Sequence, residues 1–164
     1  AEAGHPAGIE LTLEQRRGRE GEEIARELGE AGIRLRLVTR EWSEMYERLR
    51  RREVAFYHGG LGAPTADASD IFDSAVHTQE GGYGGTNFTY YSNPELDRLI
   101  AESGATMQPD RRRGLLQSCM RLLMQDLVLL PLYVRYDIYG IRNDVEFEPR
   151  ADRILPGIDM RRKR

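Results

Sequence analysis

Three acidic residues and a histidine stand close together near the middle of the chain: Asp67, Asp70, Asp73 and His77. A helix starting at Ser69 would place Asp70 and Asp73 three positions apart, with His77 four further on. Residues at those spacings share one helix face. Such a face could hold a divalent metal or supply an acid–base pair, which is the chemistry of a metal-dependent hydrolase. A plainer reading uses the same spacing, because acids in the first turn meet the positive end of the helix dipole. A metal site also needs groups that orient its ligands, and none is legible around these three. The plainer reading is preferred, so no metal, cofactor or catalytic residue is expected.

Other chemistry is harder to place. Gly59-Gly60-Leu61-Gly62 follows an apolar stretch, but neither G-x-G-x-x-G nor G-x-x-x-x-G-K-[ST] occurs. Glycines there would let a ligand or another backbone approach closely. No G-x-S-x-G and no H-E-x-x-H is present. Asn87-Phe88-Thr89 fits the glycosylation triplet, a pattern common by chance. Tyr57 stands just before the glycine run, and Tyr83, Tyr90 and Tyr91 lie in loop-like sequence. Tyrosines in loops can line a recognition cleft or pack the loop onto the domain.

These residues need elements to hold them. Ile9, Leu11 and Leu13 alternate with polar residues, as do Ile33, Leu35 and Leu37, and each set predicts a strand. Between them, Ile24, Ala25 and Leu28 recur at helical spacing before Gly32. Ser43 is a candidate N-cap for a short helix carrying Met45, Tyr46 and Leu49. Residues 54–57 predict a third strand. This order gives two crossovers and an α/β fold with a largely parallel sheet flanked by helices. A helix over Ile71, Phe72, Ala75 and Val76 follows, then a flexible loop at 81–85. Asn93 and Pro94 open a helix over residues 93–103. A longer one covers 110–125, with Leu116 and Leu123 expected in the core. Residues 129–141 alternate like a strand: Leu132, Val134, Tyr136 and Ile138 share one face. After Arg142 the sequence reads as loop with one short extended piece, and Arg161-Arg162-Lys163-Arg164 as a solvated basic terminus.

The chain has 164 residues, 40% of them hydrophobic, enough for one domain with a core. With 24 basic and 27 acidic residues the formal net charge is −3, which excludes a strongly basic nucleic-acid binder. Cys119 is the only cysteine, so an intrachain disulfide and a Cys-rich zinc site are impossible. No apolar run approaches the length of a membrane span. The opening Ala1-Glu2-Ala3-Gly4-His5-Pro6 has none of the parts of a signal peptide. Glu2-Ala3-Gly4 reads as the end of a helix, so a piece of a longer protein is expected.

Several segments, taken in order, resemble one family. Ala1-Glu2-Ala3-Gly4-His5-Pro6-Ala7-Gly8-Ile9-Glu10-Leu11 resembles the "AEAGYPDGFEL" segment of the family 5 extracellular solute-binding proteins of peptide and nickel importers. Leu28, Gly32-Ile33 and Glu41-Trp42 fit the family's helix, strand and "EW" pattern. Asp67-Ala68-Ser69-Asp70 stands where the family carries an acidic loop after its third strand. Tyr91-Ser92-Asn93-Pro94-Glu95-Leu96-Asp97 resembles "YSNPELD", and Leu130-Pro131-Leu132-Tyr133 resembles "IPLY". In three places the chain departs from the pattern. Leu61 stands where relatives often have Trp, Pro64 where an acid is frequent, and the stretch between Leu13 and Glu22 is short.

The resemblance implies a fragment of a two-lobe receptor with the type II periplasmic-binding-protein fold. Residues 1–142 would be the C-terminal ligand-binding lobe, and 143–164 a segment returning to the missing N-terminal lobe. It implies no enzyme but the substrate-binding component of an ABC importer. Such a protein closes over a peptide or similar small solute and delivers it to a permease, at the periplasmic or extracellular face of a bacterial envelope. The family's ligands include peptides, nickel complexes, opines and sugars. The expected ligand contacts are Tyr57, Gly59, Gly60, Leu61, Asp67 and Tyr83. Asp67 would either pair with a peptide's α-amino group or cap the helix that follows it.

Overall fold

The structure is a computed structural model that describes residues 5, 7–150, 152 and 154–163. The helix end expected at Glu2-Ala3-Gly4 lies outside the described residues. The chain divides into two compact units, one ending at Gly60 and the other starting at Leu61.

The first unit is a β-α-β-α-β arrangement: β1 (Ile9–Gln15), α1 (Glu20–Glu30), β2 (Ile33–Thr39), α2 (Trp42–Arg50) and β3 (Tyr57–His58). Its sheet has the order β2-β1-β3 and is parallel throughout. The two expected crossovers are therefore present. Seven consecutive pairs, from Ile9 with Ile33 to Gln15 with Thr39, join β1 to β2. β1 is the central strand, and its last three residues are buried on both faces. A central parallel strand loses its polar face in this way. Leu13, Met45 and Leu49 are almost wholly buried.

Two local expectations are corrected in this unit. Helix α2 begins at Trp42 with Glu41 in the N-cap position, so Ser43 lies inside its first turn. The third strand is only Tyr57–His58, where 54–57 was expected. Glu53 and Arg52 still bond back to the end of α2, to the carbonyls of Arg48 and Leu49. Residues 54–56 are thus spent on leaving the helix, and the first link to β1 is the Phe56 carbonyl, which accepts from Glu14 N–H at 3.0 Å.

The second unit is mostly helical. Helix α3 (Ser69–Ile71) runs into a π-helical turn at Phe72–Val76, followed by α4 (Pro94–Ala105) and α5 (Pro109–Gln125). Asn93 caps α4 as expected, its side chain accepting from Glu95 N–H and Leu96 N–H, with Pro94 in the first turn. Phe72, Val76, Leu96, Leu99, Ile100, Cys119 and Leu123 form the core. Leu116 is only partly buried against it, a correction to its expected core position.

Residues 129–141 form no strand. Pro131 withholds a backbone donor, and among the described residues no ladder pairs with the segment. Its alternation is real but one-sided, because among the described residues the apolar set stays largely exposed. Val134, Tyr136 and Ile138 are 86%, 91% and 94% exposed. Beyond it, β4 (Val145–Glu146) pairs antiparallel with β5 (Arg161–Arg162). Residues 161–163 of the basic terminus are therefore tied down, not frayed, and Lys163 N–H also donates to the Asp144 carbonyl; Arg164 lies outside the described residues.

Candidate functional site

The expected ligand contacts fall in both units. Tyr57, Gly59 and Gly60 belong to the first. Tyr57 closes the sheet as β3, at the carboxyl end of a parallel strand, where α/β sheets gather ligands. Burial pushes its phenol above the ordinary range. Gly59 lies against the Tyr57 ring, and a Cβ there would come within 3.2 Å of Cε2. A Cβ at Gly60 would meet nothing, so that backbone is open to close approach.

Leu61, Asp67 and Tyr83 belong to the second unit. Leu61 is half exposed and offers an apolar surface. Asp67 does two jobs at once. One carboxylate oxygen accepts from Ser69 N–H, at the first residue of α3, at 2.9 Å, while Ala68 rather than Asp67 stands in the N-cap position. Both oxygens also receive the Arg112 guanidinium, at 2.7 and 2.9 Å. Arg112 sits in the first turn of α5, and no sequence signal sets it apart from Arg111 and Arg113. Its hydrogen bonds, with that of Ser69, hold Asp67 far below the usual carboxylate range.

Tyr83 is stacked on His77, with ring centroids 4.3 Å apart and planes 19° from parallel. The loop beneath it is not slack. Gly84 N–H donates to the Asp73 carbonyl and Thr86 N–H to the Ser74 carbonyl, so the loop satisfies carbonyls that the π-turn leaves open. Gly84 has φ +69°, and a Cβ there would lie 2.5 Å from the His77 carbonyl oxygen. The glycine is therefore required for the turn that presents Tyr83.

The residues of the acidic cluster turn to separate partners. Asp70 accepts from the backbone and hydroxyl of Thr65. His77 is buried, with Nδ1 2.8 Å from the Thr78 carbonyl and 3.6 Å from Asp97 Oδ1. Burial raises the Asp73 carboxyl. Among the described residues no group of three His, Cys, Asp or Glu side chains could hold a metal ion.

The segment Tyr91-Ser92-Asn93-Pro94-Glu95-Leu96-Asp97 is a structural clasp. Tyr91 Oη donates to Asp126 Oδ2 at 2.6 Å, and Asn93 Nδ2 donates to the same oxygen at 3.2 Å. Burial and the Asp126 contact push the Tyr91 phenol up to about 12. Asp97 accepts from both the backbone and the hydroxyl of Thr78. Asn87 is fully buried, its amide donating to the Val76, His77 and Tyr91 carbonyls, so this side chain is occupied in the fold.

A second ionic cluster, not anticipated from sequence, lies in the first unit. Glu14 is buried at the end of β1 and receives both Arg40 and Arg48. Burial opposes its charge, and the two arginines together outweigh that cost and lower its pKa.

No family model matches the chain. It is 30% identical over 106 residues, 65% of its length, to a probable di/tripeptide-binding protein of Pseudomonas aeruginosa, covering 20% of that relative. The dipeptide-binding protein of Pseudoalteromonas sp. SM9913, solved with Met-Leu, matches 99% of the chain with TM-score 0.75 and 20% identity, over 34% of that structure. OppA of Burkholderia pseudomallei matches 80% of the chain at 25% identity and TM-score 0.66, over 26% of that structure. The chain thus spans about a fifth of the curated relative and a quarter to a third of these solved chains. In sequence the chain is similar to part of a di/tripeptide-binding protein, and in fold it is similar to part of the periplasmic peptide-binding proteins.

Proposed function

We propose that the chain is the ligand-binding part of a receptor that captures peptides for an ABC importer, without catalysing a reaction. The observation that carries this is the 30% identity to a di/tripeptide-binding protein. The Met-Leu complex of a protein with the same fold supports a peptide as the ligand class. Residues 1–142 supply the ligand contacts and residues 143–164 run toward the rest of the receptor, a division supported by the much greater length of the relatives. The receptor works at the periplasmic or extracellular face and hands its ligand to a permease. Hinge closure around the ligand would shift the population toward a transport-competent state.

The contacts come from Tyr57, Gly59 and Gly60 at the sheet end, and from Leu61, Asp67 and Tyr83. Asp67 takes the peptide's α-amino group as a third partner, since a carboxylate offers about four lone-pair positions. Calorimetry tests this with a dipeptide and its N-acetylated form, on the native chain and on Asp67→Asn. Asparagine keeps an oxygen for Ser69 N–H while removing the charge. The substitution should weaken the free-amine peptide more than the acetylated one. Equal losses would remove the amine-pairing role.

A further inference from the structure

His77 stands out in the sequence for its spacing from Asp70 and Asp73, and the fold gives it a different use. It is 5% exposed, and that burial comes entirely from this chain. Its Nδ1 lies 2.8 Å from the Thr78 carbonyl. A carbonyl only accepts, so Nδ1 carries the proton and the hydrogen bond fixes the plane of the ring. Asp97, 3.6 Å from the same nitrogen, is itself held by the backbone and hydroxyl of Thr78. The face of the imidazole is covered by Tyr83, with ring centroids 4.3 Å apart and planes 19° from parallel.

The backbone around Tyr83 is closed without that stack. Tyr83 N–H donates to the Glu80 carbonyl, Gly84 N–H to that of Asp73, and Thr86 N–H to that of Ser74. Asn87 Nδ2 donates to the His77 carbonyl. These bonds set where the Tyr83 Cα stands, but none of them chooses a rotamer for its side chain. An aromatic pair contributes beyond the area it buries. A side chain already held in its binding position also loses less freedom when a ligand arrives.

We propose that His77 is a positioning residue of the ligand site: its ring holds the Tyr83 side chain in one rotamer, and it acts on the ligand only through Tyr83. The proposal rests on the solute-binding reading, in which Tyr83 is a ligand contact.

Two substitutions separate the ring from its hydrogen bond. His77→Asn keeps an amide N–H near the place of Nδ1 and removes the ring. His77→Phe keeps an aromatic face and removes the N–H. Proton NMR of the peptide-free chain should show the Tyr83 ring signals displaced by a neighbouring ring in the native chain and in H77F. In H77N they should move to the values of an unstacked tyrosine. The amides of Leu96 and Ile100, in the core, report whether each variant is folded. Calorimetry with Met-Leu gives the second readout. H77N should weaken binding by about two- to tenfold, the range of an aromatic pair, and H77F should recover most of that loss. Tyr83→Ala should weaken binding too, and the double variant H77N/Y83A should bind no worse than Y83A alone. A residue that matters only to the fold would add its loss to that of Y83A. Tyr83 ring signals unchanged in H77N, or moved equally in H77N and H77F, overturn the proposal, and so do additive binding losses. A native chain that does not bind Met-Leu overturns the solute-binding reading instead, and the ring signals still decide whether His77 holds Tyr83.

Discussion

Asp67 and Arg112, 45 residues apart in sequence, meet in a two-pronged ion pair that joins the loop before α3 to the first turn of α5. The geometry is the parallel fork in which a guanidinium and a carboxylate bind most specifically. Neither residue announces the other in the sequence.

The pair predicts a signature in acid. Asp67's folded pKa lies below its unfolded one, chiefly through the Arg112 hydrogen bonds. Its contribution is therefore fully present above the unfolded pKa, near about 3.9, and is lost as pH falls toward the folded value. Arg112→Met removes the main cause of the shift. Thermal midpoints measured between about pH 5 and pH 2 should fall more steeply for the native chain than for the variant. Parallel curves would show that solvent screening cancels the pair.

Leu123 is 4% exposed in the core of the second unit, whereas Leu116 only borders it. Leu123→Ala should cost roughly 2–5 kcal/mol, and Leu116→Ala clearly less. Urea denaturation of both variants gives the comparison. An unchanged midpoint for Leu123→Ala would contradict the packing described.

Glu14 predicts a third effect. Its buried carboxylate gathers Arg40 and Arg48 at the end of the central strand. Glu14→Ala removes the acceptor that Arg40 and Arg48 share, leaving them Glu44 and Glu53, at a cost of about 1–3 kcal/mol. Glu14→Gln, which keeps acceptor and donor atoms, should lose less. Denaturant midpoints of the two variants rank them, and equal losses would show that charge alone matters there.

The elements were legible where a periodic pattern coincided with punctuation. β1 and β2 alternate, Gly32 with φ +82° ends the stretch after α1, and Asn93-Pro94 opens α4 as its capping chemistry requires. Patterns failed where pairing or distance decided the outcome. Residues 129–141 alternate like a strand, yet alternation reports only an apolar face and not a neighbour to bond with. The π-turn at Phe72–Val76 has no composition of its own. It is supported by Gly84 and Thr86, which cap its carbonyls from a loop that reads as flexible. The contact of Asp67 with the start of α3 was readable from its place just before Ser69, but its ion pair with Arg112 was not. The acid–histidine spacing pointed to shared chemistry that the fold dissolves, since His77 turns to Thr78 and Asp97 while Asp70 turns to Thr65.

The central claim, that this chain binds a peptide, is tested most directly by amide NMR during titration with a free dipeptide. The account predicts saturable shifts at Gly59 and Gly60, beyond the carboxyl end of β3, and at Tyr83, with weak affinity because the chain supplies only part of the enclosing surface. Spectra that do not change at any peptide concentration, or that change only at residues remote from these, would contradict it.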